Sequence, residues 1–266
     1  YFRQEHVEVE LVPFLSALER DSALIAGAID GAISDPIGAL LLDKGEGMVK
    51  ITSLGLGKTP AEGIFAILAA PGSGIKTIDD LKGVEIAVSN ATIIEYVTDR
   101  LLAMRGFSPD EIKKVEVKKM PIRMQLLLSG SVKAATLPEP LASIAAGKGA
   151  TLLVTDGDTD QSLSQTVVII RSDVLADRKD EVSALFRSYR LAVRAINSNP
   201  ENYRSLVTEK GRIPPFMADT YPIATYPEPE PFSRTLYEPA AAWLAAKGLI
   251  DEIAYEDMVA TDFMGD

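Results

Sequence analysis

The segment LIAGAIDGAISDP, residues 24–36, is echoed further along the chain by LLSGSVKAATLPEP, residues 127–140, with one extra residue. Each copy reads as a helix end, a glycine stop, a short buried strand, an acidic residue beside a proline, and a new helix. A strand followed by a helix delivers the chain to the sheet edge where open α/β folds form their ligand crevice. The repeat therefore predicts two similar lobes facing each other across a cleft. The alternative is that the pattern is only a common helix-stop-strand arrangement.

Hydrophobic periodicity extends this pattern over the whole chain. Short apolar runs predict buried strands, and the segments between them predict helices. The predicted strands cover residues 7–11, 29–33, 51–56, 64–70, 84–88, 115–117, 132–137, 151–154 and 167–170. Strands that alternate with helices predict an α/β fold with mostly parallel sheets.

Composition excludes several classes of function. The net charge of −11 argues against non-specific nucleic-acid binding. The 266 residues contain no cysteine and one histidine, His6, which excludes thiol chemistry and a multi-histidine metal site. No nucleophile elbow accompanies His6, so no serine triad is predicted. We predict no catalytic residues, no cofactor and no metal.

Two further motifs do not have the residue spacing that their functions require. Asp156, Asp158 and Asp160 form half of a calcium loop, but Val167 stands where the loop requires glutamate. The glycine-rich residues 55–63 lack the first glycine of a phosphate-binding loop, and a strand follows them where that motif requires a helix. Neither calcium binding nor nucleotide hydrolysis is predicted.

Four segments together carry a family resemblance: residues 1–11, 24–35, 127–140 and the run TIDDLKGVEIAV at 77–88. In this order and spacing the chain resembles type II periplasmic solute-binding proteins. The similar branch serves importers of nitrate, sulfonates, taurine and thiamine-pyrimidine precursors. The resemblance covers nearly the whole chain, although the family has a strand and most of a helix before the position of Tyr1.

The resemblance implies an α/β, two-lobed fold in which each lobe is a mostly parallel sheet flanked by helices. Lobe I would comprise residues 1–72 and 165–266, and lobe II residues 73–164. Two crossover hinge strands, near residues 70–75 and 158–166, would let the lobes close on a ligand. The family's first strand is missing from this sequence.

The same resemblance implies a non-catalytic role as the extracytoplasmic binding component of an ABC-type importer. Its partners would be a small-molecule ligand and the transporter permease, with membrane contact only through that permease or a removed anchor. The protein would lie in the periplasm or on the extracellular face, with any signal outside this sequence. The alternative is the ligand-sensing domain of a signalling receptor. An enzyme of the same fold, which in this family uses histidine and cysteine, is disfavoured because the chain lacks cysteine.

Candidate ligand-binding residues fall at predicted strand ends and helix starts in both lobes. In lobe I they are Ser16, Ser34 and Asp35; in lobe II they are Ser89, Asn90, Thr92, Glu139 and Ser164. Helix starts offer free N–H groups to a polar or anionic ligand. The alternative for residues 89–92, Asp35 and Glu139 is helix capping, which favours the same residue types.

The ligand class stays open between two possibilities. Acidic groups on both lobes, Asp35 and Glu139, favour an amine, a polyol or a heterocycle such as a thiamine-pyrimidine precursor. The helix start at residues 89–92, and Lys58 in the loop after a strand, would suit a sulfonate or another oxyanion.

Overall fold

A computed structural model describes residues 1–14 and 16–263. In chain order its strands are β1 (Gly31–Ser34), β2 (Val49–Leu56), β3 (Phe65–Ala69), β4 (Glu85–Val88), β5 (Lys113–Glu116), β6 (Ala134–Pro138), β7 (Thr151–Thr155) and β8 (Thr166–Arg171). The α-helices are α1 (Ala17–Ile25), α2 (Pro36–Asp43), α3 (Ile93–Met104), α4 (Met120–Leu128), α5 (Leu141–Gly147), α6 (Ser172–Asp177), α7 (Lys179–Ser198), α8 (Arg204–Lys210), α9 (Arg234–Ala246) and α10 (Tyr255–Met258).

The chain divides into two compact units. Unit 1 comprises Tyr1–Lys58, Gln165–Lys210 and Pro215–Asp266; within it, residues 15 and 264–266 lie outside the described part. Unit 2 comprises Thr59–Ser164 and Gly211–Pro214. This division differs from the predicted lobes at the first crossing, because it places residues 59–72 in unit 2 rather than in lobe I. The reason is that β3 hydrogen-bonds to β6 and β7, both of which belong to unit 2.

Each unit has one sheet; the sheet of unit 1 is antiparallel and that of unit 2 is mixed. Unit 1 has the order β1-β8-β2, in which β8 is antiparallel to both neighbours. Unit 2 has the order β5-β4-β6-β3-β7, in which β4 is parallel to β5 and β6 while β3 is antiparallel to β6 and β7. The α/β class is confirmed, but the predicted predominance of parallel pairing is wrong. The antiparallel strands β3 and β8 each enter from the other unit, so no helical crossover within the same sheet fixes their direction.

The sequence echo corresponds to a repeated arrangement. In unit 1, β1 and β2 run in the same direction through α2, with β8 between them. In unit 2, β6 and β7 run in the same direction through α5, with β3 between them. The two copies of the motif supply β1 with the start of α2, and β6 with the loop before α5. The strand that enters from the other unit occupies the same position in both sheets.

The two inserted strands form the centre of the core. All five residues of β3, and residues 167–170 of β8, are buried. A strand buried on both faces reads as a continuous apolar run, which is why the sequence located both. In unit 2, Ala142 and Ala145 of α5 pack on Leu68 and Leu137 of the sheet.

The predicted strand at residues 7–11 is not formed, and Leu11 is 80% exposed. Alternating valines indicate an amphipathic extended segment, but a strand also needs a neighbour for its backbone hydrogen bonds. None of the described strands pairs with this segment. Within residues 1–14 and 16–263, no helix has both the length and the apolar character required to cross a bilayer.

Candidate functional site

Strand register brings the lobe II candidates to one edge of the five-stranded sheet. The strands β4 and β6 are parallel, so Ser89 and Glu139, which follow them, lie at the same edge. Phe65 of β3 pairs with Pro138, and Ala66 pairs with Thr155, so the start of β3 and the end of β7 are there too. We call this group the unit 2 edge: residues 63–65, 89–92, 117, 139, 156 and 164.

The loop between β4 and α3 is held by its own side chains. Thr92 is the N-cap of α3, where its Oγ1 accepts from the Ile94 N–H at 3.2 Å and donates to the Ser89 carbonyl at 2.7 Å. Ala91 adopts a left-handed φ of 53°, and its N–H donates to Glu95 Oε2 at 2.6 Å. The Thr92 side chain is therefore used for capping. The first-turn N–H groups that capping does not use are the ones suited to a ligand.

Arg123 of α4 is the main residue of the unit 2 edge that the sequence did not identify. Its side chain is fully buried and bonds to residues that follow β5 and β4 and to one within β6. Nε and Nη2 donate to the Val117 carbonyl at 3.1 and 2.6 Å, Nη1 donates to the Thr136 carbonyl at 3.0 Å, and Nη2 donates to Ser89 Oγ. Burial lowers the pKa of Arg123 to about 10, which leaves the guanidinium charged at neutral pH.

The hydroxyl of Ser89 is committed to this arrangement. It accepts from Arg123 and donates to the Lys118 carbonyl at 3.2 Å, and the residue is 7% exposed. Its role in the described structure is to join the β4 end to Arg123. Asn90, the next residue, is exposed.

Glu139 lies half-buried beside the first residues of unit 2. Its N–H donates to the Ile64 carbonyl at 2.7 Å, and its Oε1 accepts from the Ser143 hydroxyl at 2.9 Å. The Glu139–Pro140 peptide is cis. Pro140 occupies the N-cap position, and α5 begins at Leu141.

Ser164 lies next to a buried carboxyl group. Asp156 is 1% exposed, and its Oδ1 accepts from the Phe65 N–H at 2.8 Å, while no described residue donates to its Oδ2. Ser164 Oγ accepts from the Ile64 N–H at 3.4 Å. Burial raises the pKa of Asp156, although hydrogen bonds from Ser164 and Phe65 oppose this. Asp156 thus helps to hold the unit 2 edge together.

The lobe I candidates gather at one edge of the three-stranded sheet, which we call the unit 1 edge: residues 16, 34, 35 and 58. Ser34 is buried at the end of β1, and Asp35 is the N-cap of α2. Ser16 caps α1 by accepting from the Glu19 N–H at 3.2 Å. Arg20, one turn later, donates to the Ile33 carbonyl at 3.1 Å, which ties the start of α1 to the end of β1.

Asp35 combines helix capping with a raised pKa. Its Oδ1 accepts from the Gly38 N–H at 2.8 Å. Burial raises the pKa of Asp35 above its ordinary value, and the Gly38 hydrogen bond and the charge of Arg20 act against that rise. Asp35 therefore both caps a helix and takes up a proton more readily than an ordinary aspartate.

We expect Asp35→Ala to lower the free energy of unfolding by about 1 kcal/mol, because it removes an N-cap. Asp35→Asn should leave stability nearly unchanged, since asparagine caps equally well. Urea unfolding of the two variants checks this pair. Equal loss in both would mean that the charge, not the cap, stabilises α2.

Lys58, in the loop after β2, forms an ion pair. Its Nζ lies 2.6 Å from Glu230 Oε2, and the Glu230 carbonyl accepts from the Leu54 N–H at 2.9 Å. The segment around Glu230 therefore runs beside β2. Glu230 neutralises Lys58, the residue that the sequence suggested as a contact for an anionic ligand.

Comparison with known proteins agrees with this architecture. The model of the family described as NMT1/THI5 like matches residues 1–203. No curated protein matches the chain.

Three solved structures share the fold. The periplasmic aliphatic sulphonate binding protein SsuA from Escherichia coli has a TM-score of 0.81 at 18% identity, over 99% of this chain and 86% of that one. The zinc-bound ligand binding component of an ABC-type import system from Staphylococcus aureus has a TM-score of 0.80 at 16% identity, over 97% and 87%. A DSZB mutant in complex with biphenyl-2-sulfinic acid has a TM-score of 0.72 at 16% identity, over 99% and 91%.

At these identities the structures establish fold alone, and the predicted periplasmic-binding-protein fold is confirmed. Zinc belongs to the Staphylococcus protein. In the part of this chain that the structure describes, no three histidine, aspartate or glutamate side chains converge as metal ligands.

Proposed function

Because the chain belongs to the NMT1/THI5-like family, we propose that it is the solute-binding component of an ABC-type importer and catalyses no reaction. It binds a small polar molecule and passes it to a membrane permease. Its place is the periplasm or the outer face of the cell, either free or held by a lipid anchor. The fold shared with two ABC-import binding proteins supports this proposal.

The observation that carries the proposal is the gathering of polar groups at one edge of each sheet. The unit 2 edge collects Ser89, Asn90, Thr92, Glu139 and Ser164 from segments far apart in sequence. The unit 1 edge collects Ser16, Ser34 and Asp35. Ligands of open α/β sheets bind at such edges. In this proposal both edges carry groups that contact a ligand.

The ligand carries hydrogen-bond donors, because Asp35 and Glu139 present carboxyl oxygens at the two edges. A thiamine-pyrimidine-like heterocycle fits this requirement. A sulfonate is the second candidate, favoured by the start of α3 with the buried cation Arg123 behind it. An aminosulfonate would satisfy both.

The test is a thermal-shift screen followed by calorimetry, using aminopyrimidines, taurine, alkanesulfonates, nitrate, amines and amino acids. A ligand at a hundredfold excess over its Kd should stabilise the fold by about 2.7 kcal/mol. We expect Asp35→Asn and Glu139→Gln each to weaken the selected ligand about tenfold, as loss of a charge-assisted hydrogen bond does. Glu85→Gln, at the opposite end of β4, is the matched control.

For a cationic ligand, affinity should fall as pH decreases through the raised pKa of Asp35, because the protonated carboxyl no longer attracts a cation. The Asp35→Asn variant should lose this component of the pH dependence. Absence of binding by every class, or binding that neither variant weakens, contradicts the proposal.

The receptor alternative differs in its partner and not in its ligand. Purified permease and ATPase from the same gene neighbourhood, reconstituted in liposomes, should hydrolyse ATP faster when the liganded protein is added. A gene that continues into a signalling domain, together with no stimulation, would favour the sensor.

A further inference from the structure

We propose that Arg123 is a positioning residue for ligand binding at the unit 2 edge. It sets the β4–α3 loop through Ser89 and does not touch the ligand itself. This inference rests on the proposed function and assigns a role to a side chain that the candidate site did not include.

The guanidinium group joins three neighbouring strands. Val117 directly follows β5, Ser89 directly follows β4, and Thr136 lies within β6. Arg123 donates to an oxygen of each residue, at 2.6 to 3.1 Å for the two carbonyls. These strands are neighbours in the order β5-β4-β6. The Arg123 side chain therefore bridges all three of them beside the start of the β4–α3 loop.

The charge of Arg123 has no carboxylate partner among the described residues, and all its acceptors are neutral oxygens. Glu95 and Asp99 of α3 are paired with Lys114, at 2.7 and 2.6 Å. Burying an arginine is unfavourable unless its hydrogen bonds compensate, and apolar residues of similar volume often serve stability equally well. Arg123 and Leu127 are the two buried residues of α4, so an apolar residue at position 123 would complete an apolar face. Stability alone therefore gives little reason for a cation here.

Positioning of the loop gives a better reason. Because Ser89 Oγ accepts from Arg123, its proton is directed to the Lys118 carbonyl, and the Ser89 carbonyl is left to accept from Thr92. Thr92 in turn caps α3 through Ile94, and Glu95 holds the left-handed Ala91. A continuous set of hydrogen bonds thus runs from Arg123 to the first turn of α3. Supporting contacts of this kind set the geometry of a site without contacting its ligand.

The experiment compares Arg123→Met, Arg123→Lys and the matched control Leu127→Ala in the full chain. Leu127→Ala damages the same helix face but leaves the guanidinium in place. Two quantities are measured: amide hydrogen exchange at Ala91 and Ile94 without ligand, and the Kd of whichever of taurine, methanesulfonate or an aminopyrimidine binds the unmodified protein.

We expect Arg123→Met to speed exchange at Ala91 and Ile94 and to raise Kd about tenfold, the scale seen for supporting-shell substitutions. Arg123→Lys should give exchange rates and a Kd between those of the unmodified protein and Arg123→Met, since an ammonium keeps the charge but cannot span three acceptors. Leu127→Ala should lower the unfolding midpoint without changing either quantity. If Arg123→Met does not fold, Ser89→Ala removes only the contacted hydroxyl and should give the same exchange pattern.

Unchanged exchange at both amides in Arg123→Met, or an equal Kd increase in Leu127→Ala, would overturn the inference. If no probe binds the unmodified protein, the proposed ligand classes fail, while the exchange measurement still decides the role of Arg123.

Discussion

Gly63→Ala will destabilise unit 2 by about 3 kcal/mol, the upper range for overpacking a tight interior. A Cβ at this position would lie 2.5 Å from Asp156 Oδ1, 2.5 Å from the Gly157 nitrogen and 2.8 Å from the Asp156 carbonyl carbon. Two of these three atoms belong to backbone, so the contact cannot be relieved by a change of rotamer. The φ of −58° at Gly63 suits any residue, which means that the effect comes from space and not from backbone conformation.

Urea unfolding monitored by circular dichroism measures this effect. Gly157→Ala is the control, because its nearest contact is the Thr155 hydroxyl at 3.3 Å, which can rotate away. We expect that variant to lose less than about 1 kcal/mol. Equal losses in the two variants would show that the approach of residue 63 to Asp156 is not tight in solution.

Asp156→Asn will raise the free energy of unfolding at neutral pH by about 1–2 kcal/mol, because a neutral amide avoids the desolvation penalty of a buried charged group. Burial raises the pKa of Asp156 in the folded state above the ordinary 3.8, so the folded protein holds this proton more tightly than the unfolded chain. The contribution to stability is complete below that ordinary value and is lost as pH rises through the raised folded pKa. Asparagine does not titrate, so the difference in free energy of unfolding between Asp156→Asn and the unmodified protein grows from acid to neutral pH.

Unfolding curves between about pH 4 and pH 7 test this prediction, because that interval lies above the ordinary aspartate pKa. Asp160→Asn, an exposed residue of the same loop, should follow the unmodified protein at every pH. Parallel curves for the unmodified protein and Asp156→Asn would mean that Asp156 is ionised in the folded state with a partner.

Local signals in the sequence located most elements. The apolar runs that became β3 and β8 are buried on both faces, and such runs can be recognised without knowing their neighbours. The helix starts at Asp35-Pro36 and at Thr92 follow capping preferences that act within one turn.

Strand direction and strand pairing depend on residues that are distant in sequence, so local patterns could not predict them. The direction of β8 depends on β1 and β2, which lie more than one hundred residues earlier. The valines at positions 7 and 9 alternate as a strand would, yet their segment has no pairing partner in the described structure.

The site was predicted only in part for a related reason. Ser16, Asp35 and Thr92 all cap helices, and a pattern that predicts capping also predicts ligand contact. Their ligand contacts therefore remain proposals. Arg123 was missed because an arginine on a helix usually extends into solvent. Its spacing of four residues from Leu127 was the available signal, since residues four apart share a helix face.

The position of β8 between β1 and β2 has a consequence for synthesis of the chain. The five-stranded sheet is assembled from residues 65–155, so it can close while the ribosome is still adding the rest of the protein. The three-stranded sheet cannot, because β1 and β2 both wait for a strand that ends at Arg171. The segment that carries β1 and β2 precedes unit 2 in the chain but completes its fold after it, and during that interval the apolar residues of its two strands are exposed to chaperones.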